Sequence, residues 1–161
     1  MIVIALGANL PSRVGQPLQT LQAVVRELPK CGIKVAAVSQ WYESTPVPAS
    51  DQPLYINGVI SVETTLGPSD LLSTLLSIED DYGRERREAN AARTLDLDVL
   101  DYDGKVETGP PILPHPRLEN RRFVLFPLRD IAPDWRHPVS GLQLEALLKN
   151  LEDPGKIRQI K

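Results

Sequence analysis

Residues 94–102 read TLDLDVLDY, and apolar and acidic side chains alternate along this stretch. Alternation with a period of two is typical of a β-strand, whose successive side chains point to opposite faces of a sheet. We therefore expect the leucine and valine side chains of Leu95–Val99 in the core. Asp96 and Asp98 are expected to leave the opposite face together, about 7 Å apart at a rise of roughly 3.3 Å per residue.

The chain before this strand contains further strand and helix patterns. Strands are predicted over Ile2–Leu6, Ile33–Tyr42, Tyr55–Thr65 and Thr94–Tyr102, and amphipathic helices over Pro17–Leu28 and Pro68–Tyr82. Glu43–Pro53 is predicted to be a loop because it contains three prolines. The resulting βαββαβ order predicts an α+β, ferredoxin-like sandwich, with a mainly antiparallel sheet and helices packed on one face.

The C-terminal part of the chain is rich in proline. Seven of the 15 prolines lie between Pro110 and Pro138. Because proline is rare inside regular elements, we expect a proline-rich C-terminal extension of shaped loop there. Short helices are predicted over Phe123–Ile131 and Leu142–Leu151.

Length and composition are those of a single globular domain. The 161 residues favour one domain over residues 1–161, and 42% hydrophobic with 24% charged residues is ordinary for such a domain. The net charge of −3 disfavours nucleic-acid binding through a basic surface and fits a monomer. A single cysteine, Cys31, excludes an internal disulfide. With no run long enough to span a membrane and no leader pattern, we expect a cytoplasmic protein.

Asp96 and Asp98 are candidate metal ligands. Two carboxylates on one strand face repel each other unless a cation or hydrogen-bond donors compensate. Mg²⁺ suits such a pair because it prefers carboxylate oxygens and keeps water or phosphate oxygens as its other ligands. The alternative interpretation is an ordinary solvated strand face, and the acidic pattern by itself favours that alternative.

Arginines flank the acidic strand. Arg84, Arg86 and Arg87 follow the second predicted helix, and Arg93 comes directly before the strand. Arginine binds phosphate through a planar fork of donors, so this cluster is a candidate anion site. The alternative is that these cations offset the dipole at the end of the helix.

A second basic segment, Pro114–Phe123, holds His115 among arginines. Neighbouring positive charge disfavours the imidazolium form, but a neutral histidine can still donate a hydrogen bond to phosphate. Phe123 and Tyr55 are candidates for stacking on a flat ring, although core packing is the default for each. The sequence contains no phosphate-binding loop, dinucleotide-binding fingerprint or zinc-ligand spacing.

Taken together, these segments closely resemble the 6-hydroxymethyl-7,8-dihydropterin pyrophosphokinase family over about Ile2 to His137. The matching pieces are Ala5–Leu10, Asp51–Pro53, Tyr55–Asn57, Glu79, Gly83–Arg86, Arg93–Asp98, Pro114–Leu118, Arg121 and Phe123–Leu125. The segment Asn90–Arg93 lacks the tryptophan and proline that many members carry before the matched arginine.

The resemblance implies transfer of the diphosphate of ATP, the co-substrate, to 6-hydroxymethyl-7,8-dihydropterin, giving AMP and the pterin diphosphate in folate biosynthesis. It implies two Mg²⁺ ions on Asp96 and Asp98 and a mobile loop whose Arg84 and Arg93 are catalytic. The implied pterin site consists of Tyr55 and Phe123 as stacking aromatics, with Asn57 and the backbone near Ser44, Thr45 and Val47. The implied ATP site consists of Glu79, Arg86, Arg87, His115, Arg121 and the main chain near Ile112.

Two other functions remain open from the sequence. One is a ferredoxin-like module that binds RNA, which the net charge and the lack of an aromatic RNA-binding pattern disfavour. The other is a relative that has kept the ATP site but lost catalysis. The presence of both aspartates and both matched arginines argues against that second alternative.

Overall fold

The computed structural model describes residues 1–84, 91–152 and 155–161. The strands are β1 (Ile2–Ala8), β2 (Lys34–Val38), β3 (Tyr42–Ser44), β4 (Tyr55–Glu63), β5 (Asp96–Tyr102), β6 (Glu107–Thr108), β7 (Ile112–Leu113) and β8 (Ile157–Gln159). The helices are α1 (Pro17–Glu27), α2 (Pro68–Asp81), α3 (Arg122–Ile131) and α4 (Leu144–Lys149). Up to β5 this is the predicted βαββαβ order, with one predicted strand divided in two.

Most of the strands form one sheet. Its order is β5-β1-β4-β3-β8, and β2 pairs with β4 beside β3. The strand pairings of this sheet are antiparallel, which confirms the predicted sheet type. β1 is an interior strand, where Ile4 lies opposite Ile60 of β4 on one side and Val99 of β5 on the other.

The single strand predicted for Ile33–Tyr42 is wrong, because the chain forms two strands there, β2 and β3. The break occurs at Ser39. Its Oγ accepts the Val59 backbone N–H at 2.9 Å, in place of the carbonyl that a continuous strand would offer, and its own N–H donates to the Val59 carbonyl at 2.9 Å. The loop predicted to start at Glu43 therefore starts two residues too early, since β3 extends to Ser44.

Helices cover both faces of the sheet, so the prediction of helices on one face is wrong. Alternating side chains of β1 explain the second cover: Ile4 points toward α1 and α2, and Val3 points toward α3 and α4. Both faces carry apolar side chains, and each must be buried. The core with α1 and α2 includes Leu6, Leu21, Leu71, Leu75, Leu95, Leu97 and Val99, which confirms the expected direction of the β5 leucines and valine. The second core includes Val59, Leu100, Leu125, Leu128, Leu144 and Leu147.

The proline-rich part of the chain contributes to both cores, with Leu113 in the first and Leu118 and α3 in the second. It forms the β6–β7 hairpin, a 3-10 turn at Leu118–Asn120 and α3, which contains Pro127. The tail after α4 returns to the sheet as β8, a strand that the sequence patterns do not predict. Within the described ranges, no helix is both long and apolar enough to cross a lipid bilayer.

Candidate active site

A cleft lies on the second face of the sheet, beyond the area that α3 covers. Asn57 lies two residues before Val59 in β4, and Asp96 four residues before Leu100 in β5, so both share the face of that core. The first turn of α3 closes one side of the cleft. The cavity measures about 380 Å³ and is lined by Gly7, Ser44, Thr45, Pro46, Val47, Pro48, Tyr55, Asn57, Arg93, Asp96, Arg117, Asn120, Arg121 and Phe123.

Asp96 lies at the charged end of the cleft and binds two arginines. Arg84 Nη1 is 2.8 Å from Asp96 Oδ1, and Arg93 Nη1 is 3.0 Å from Asp96 Oδ2. Each carboxylate oxygen therefore has its own guanidinium. The structure brings together a proposed metal ligand and both arginines that the sequence places near phosphate.

Glu79 of α2 binds both the Arg84 side chain and the backbone of β5. Its side chain is 1% exposed, and Oε2 accepts the Arg84 guanidinium at 2.6 Å and the Leu97 backbone N–H at 2.7 Å. The β5 strand forms an edge of the sheet, so the Leu97 N–H would otherwise lack a partner strand. Burial and a charged partner thus fix Glu79, and through it Arg84, against β5.

Asp98 is less well neutralised than Asp96. Among the described residues, the Arg121 guanidinium lies 4.0 Å from Asp98 Oδ2, and the His115 imidazole Nε2 lies 3.8 Å from the same oxygen. Burial in the cleft and repulsion from Asp96 raise the pKa of Asp98 to about 7, although the Arg121 charge opposes this shift. A carboxylate in this position favours any added positive charge.

His115 lies beside Asp98 as a neutral imidazole. Burial and the positive charge of Arg121 lower the pKa of His115 to about 4. Its Nδ1 accepts the Arg117 backbone N–H at 3.1 Å, so the ring proton of the neutral form lies on Nε2. That N–H points into the region between Asp98 and Arg121, where it is available to an anionic oxygen.

The opposite end of the cleft is aromatic and amide-lined. Asn57 is buried, and its Nδ2 donates to Ser44 Oγ at 2.6 Å. The Tyr55 hydroxyl lies 3.2 Å from Gln52 Oε1, and burial raises its pKa. Phe123 lies against the Arg121 guanidinium, 5.3 Å from ring centroid to carbon. A flat ring entering here would meet two aromatic side chains and a buried amide.

Sequence reasoning missed Asn9, which connects the two ends of the cleft. Its Nδ2 donates to Gln52 Oε1 at 3.1 Å and to the Pro53 carbonyl at 3.2 Å, while its Oδ1 accepts the Arg93 backbone N–H at 2.9 Å. Asn9 lies in Ala5–Leu10, one of the segments that carry the family resemblance, but no role was predicted for it. The available signal was a polar side chain directly after a buried strand, where burial requires hydrogen-bond partners.

The structure places most of the predicted site residues in or beside this cleft. Those that line it are Ser44, Thr45, Val47, Tyr55, Asn57, Arg93, Asp96, Arg121 and Phe123. Those that contact the lining residues or one another are Glu79, Arg84, Asp98 and His115. Ile112 lies on β7, 51% exposed and apart from the cleft lining. Arg86 and Arg87 lie outside the described residues. The individual roles of all these residues stay predictions.

Comparison with known proteins identifies a family for this arrangement. The model of the 7,8-dihydro-6-hydroxymethylpterin-pyrophosphokinase (HPPK) family matches residues 3–133. A 2-amino-4-hydroxy-6-hydroxymethyldihydropteridine pyrophosphokinase of Synechocystis sp. is 41% identical over 152 residues, which are 93% of this chain and 75% of that protein. The protein of the same name from Pseudomonas aeruginosa is 40% identical over 151 residues, 91% of this chain and 89% of that protein.

Solved structures show the same fold at lower sequence identity. The crystal structure of wild-type Plasmodium falciparum HPPK-DHPS with pteroate superposes with a TM-score of 0.71 at 12% identity. The match covers 92% of this chain and 43% of that longer chain. On the strength of the family model and of two relatives at about 40% identity, this chain belongs to the 7,8-dihydro-6-hydroxymethylpterin-pyrophosphokinase family.

Proposed function

We propose that this chain transfers the diphosphate of ATP to 6-hydroxymethyl-7,8-dihydropterin in folate biosynthesis. One observation carries the proposal: Asp96, with its two arginines, lines the same cavity as Tyr55, Asn57 and Phe123. An aromatic ring pocket thus opens directly onto a site for phosphate. The names of the relatives, which are pyrophosphokinases of a hydroxymethyldihydropteridine, support this assignment.

The aromatic end of the cleft is the proposed pterin site. Tyr55 and Phe123 stack on the ring, and Asn57 reads the donors and acceptors along its edge. The backbone of Ser44, Thr45 and Val47 forms the adjacent wall. One stack and a few well-placed polar groups are sufficient to orient a planar heterocycle.

The charged end is the proposed triphosphate site. Arg121 and His115 bind phosphate oxygens beside Asp98, and Arg84 and Arg93 clamp the transferred group. Arg86, Arg87, Glu79 and the main chain near Ile112 complete the proposed ATP contacts. Guanidinium forks suit phosphate because they donate two parallel hydrogen bonds and keep their charge at every physiological pH.

The donor set at this end fits Mg²⁺. Asp96 and Asp98 supply two carboxylates from one strand face, and the raised pKa of Asp98 reflects a charge that lacks close compensation. Within the described ranges, no group of three or more His, Cys, Asp or Glu side chains could hold a metal. Two carboxylates with phosphate and water oxygens are the usual Mg²⁺ environment, so we propose two such ions here. When bound, they would neutralise phosphate charge during transfer.

The chain's own residues perform the remaining tasks. The pterin pocket holds the hydroxymethyl oxygen toward the β-phosphorus of ATP. A new oxygen–phosphorus bond forms there, and the bond from the β-phosphorus to the oxygen that bridges it to the α-phosphorus breaks. AMP leaves with that oxygen and the electron pair, and the hydroxyl proton passes to solvent. Because phosphoryl transfer needs little covalent assistance, alignment and charge are the main contributions of Arg84 and Arg93.

The proposal is tested by AMP formation from ATP and Mg²⁺, with and without 6-hydroxymethyl-7,8-dihydropterin. AMP that appears only with the pterin supports diphosphate transfer. Strong nucleotide binding without AMP would instead identify a relative that has lost catalysis.

We further propose a monomer with one domain over residues 1–161, and sedimentation equilibrium should give about 17.8 kDa.

A further inference from the structure

The C-terminal tail is hydrogen-bonded to one wall of the ring pocket. Its strand β8 pairs with β3, with Ile157 opposite Ser44 and Gln159 opposite Tyr42. Just before β8, the Lys156 carbonyl accepts the Thr45 N–H at 3.1 Å, and the Lys156 N–H donates to Thr45 Oγ1 at 3.0 Å. The wall that contains Ser44 and Thr45 is therefore held on its outer side by the tail.

The same tail also reaches the opposite wall. Arg122 Nη1 donates to the Gly155 carbonyl at 2.9 Å. Arg122 is the first residue of α3, and the next residue, Phe123, lines the cleft. Gly155 and Lys156 are adjacent in the chain, so two consecutive peptide units connect the Ser44–Thr45 wall to the start of α3.

This connection matters because β3 is short. It contains three residues, and its inner partner β4 pairs with all three, from Tyr42 opposite Asn57 to Ser44 opposite Tyr55. Without β8, β3 would be a three-residue edge strand, and strands of this length are poorly held at an edge. The segment after it, Thr45–Pro48, is cleft wall rather than sheet.

We propose that β8, with Gly155 and Lys156, is a positioning element that sets the width of the ring pocket and hence the affinity for the pterin. The inference rests on the proposed function, because it assigns the ring pocket to that substrate. A stacked ring requires walls at a fixed spacing, because a gap of about 0.5–1 Å already loses roughly a quarter to a half of the contact energy. At the charged end, Glu79 and Asn9 hold Arg84 and Arg93 without the tail. Arg121 adjoins Arg122, which the tail binds, so nucleotide affinity should depend on the tail much less than pterin affinity does.

Position 158 offers a matched pair of variants in the full chain. Arg158 lies at the centre of β8, opposite Glu43, and its side chain is 76% exposed with an ion pair to Glu43 at 2.7 Å. Arg158→Pro removes a backbone N–H from the middle of the pairing and disrupts β8. Arg158→Ala removes only the exposed ion pair, which contributes little because solvent screens it.

Two quantities are measured. One is the steady-state kinetics with the pterin as the varied substrate, and the other is the affinity for a non-hydrolysable ATP analogue in the presence of Mg²⁺. We expect Arg158→Pro to raise the pterin KM about tenfold or more, with kcat and nucleotide affinity within about threefold. Arg158→Ala should match the unaltered chain. An unchanged pterin KM in Arg158→Pro, or equal losses for both ligands, would overturn the inference. If the unaltered chain formed AMP at the same rate with and without the pterin, the proposed function would be overturned instead.

A second measurement does not depend on a variant that folds. Coupling between two sites is reciprocal. If the tail stabilises the ring pocket, then binding of the pterin in that pocket must also stabilise the tail. Hydrogen exchange of the Thr45 amide, bonded to Lys156, and of the Ile160 amide, bonded to the Trp41 carbonyl at 2.8 Å, should slow about tenfold on saturation with the pterin. Exchange of both amides that is unchanged by the pterin would contradict the inference, as would equal slowing by the nucleotide alone.

Discussion

Arg93 and Asp96 form an ion pair in the cleft, with Nη1 and Oδ2 3.0 Å apart. The other oxygen of Asp96 binds Arg84 at 2.8 Å. A proposed metal ligand therefore holds the two arginines that are proposed to clamp the phosphates. A cation on Asp96 would take over this carboxylate, and both guanidinium groups would become available to phosphate oxygens.

Arg93→Ala should lower turnover far more than nucleotide affinity. Before the phosphates bind, the Arg93 charge is paired with Asp96. We therefore expect Arg93 to add little to nucleotide affinity and to act mainly on the transferred diphosphate during the reaction. We expect kcat to fall about 10²–10³-fold and the dissociation constant of the ATP analogue to change within about threefold. Steady-state kinetics and calorimetry measure the two effects separately.

Arg93→Lys is the matched variant for this prediction. It keeps the charge and loses the planar fork, so its kcat should lie between those of the unaltered chain and Arg93→Ala. An affinity loss without a loss of kcat in Arg93→Ala would show that Arg93 only binds the nucleotide.

Asp98→Asn should abolish most activity and yet stabilise the protein. The Asp98 pKa of about 7 lies above its ordinary value of 3.8, so the folded state favours the neutral carboxyl. This stabilising contribution is complete below pH 3.8 and is lost as the pH rises through about 7. An asparagine stays neutral at every pH. The unfolding free energy of Asp98→Asn should therefore exceed that of the unaltered chain by an amount that grows from pH 4 to pH 8. We expect about 1–2 kcal/mol at pH 8 because solvent screens the partly exposed side chain, and a loss of turnover of about 10³-fold.

Asp96→Asn is the control at the neighbouring position. Asp96 binds two partly buried arginines, so neutralising it takes a charged partner from both, although Arg84 keeps Glu79. Its unfolding free energy should fall by about 1–3 kcal/mol, opposite in sign to Asp98→Asn, while turnover falls about as far. Denaturant unfolding at pH 4, 6 and 8 tests both variants. The same sign for both would contradict the different charge environments of the two aspartates.

The sequence predicts most of the sheet because strands depend on local patterns, whereas the roles of the cleft residues follow from the family resemblance and stay predictions. Alternation in Leu95–Val99 determines which side chains are buried, and that prediction is confirmed. Ser39 shows the limit of such patterns. A serine between two apolar strands looks like part of one strand, and only the pairing with Val59 shows that its hydroxyl interrupts the ladder.

Contacts between distant parts of the chain could not be predicted in the same way. Asn9 and Gln52 are 43 residues apart, and Thr45 and Lys156 are 111 residues apart. Neither contact is marked in the sequence by opposite charges or a periodic pattern, since Lys156 bonds Thr45 through its backbone. Helices α3 and α4 present apolar stripes, but the sequence does not show which face of the sheet they cover. These long-range contacts are the ones that hold the cleft walls in place.

His115 should titrate near pH 4 in an NMR experiment that follows its ring carbon, with His115→Gln identifying the signal. Its pKa of about 4 lies below the ordinary 6.5, so the folded state disfavours the imidazolium. The corresponding stability is fully present above about pH 6.5 and is lost as the pH falls toward 4. Arg121→Gln should raise the midpoint but leave it below 6.5, because burial remains the larger cause. A midpoint that does not move would show that the Arg121 charge has no influence on His115.

Asn9→Ala should lower kcat, whereas Gln52→Ala should mainly raise the pterin KM. Asn9 holds the Arg93 N–H through Oδ1 and the Gln52–Pro53 segment through Nδ2. Its loss loosens both, although the Asn9 and Leu10 backbone N–H groups still donate to the Arg93 carbonyl. Gln52→Ala keeps the Asn9–Arg93 bond and removes the contact with the Tyr55 hydroxyl. We expect a kcat loss of about 10–10²-fold for Asn9→Ala, with a stability loss of about 1–3 kcal/mol for the buried groups left unpaired.

Kinetics of both variants below their unfolding temperatures separates these roles. Gln52→Ala should keep kcat within about threefold of the unaltered chain and raise the pterin KM about tenfold. If Asn9→Ala is destabilised but keeps its kcat, Asn9 is a structural residue of the turn after β1 and does not position Arg93. If both variants change only kcat, the Gln52 side of the connection also acts through the arginine, since Tyr55 and Arg93 both contact the Ala91 carbonyl, at 3.3 and 3.1 Å.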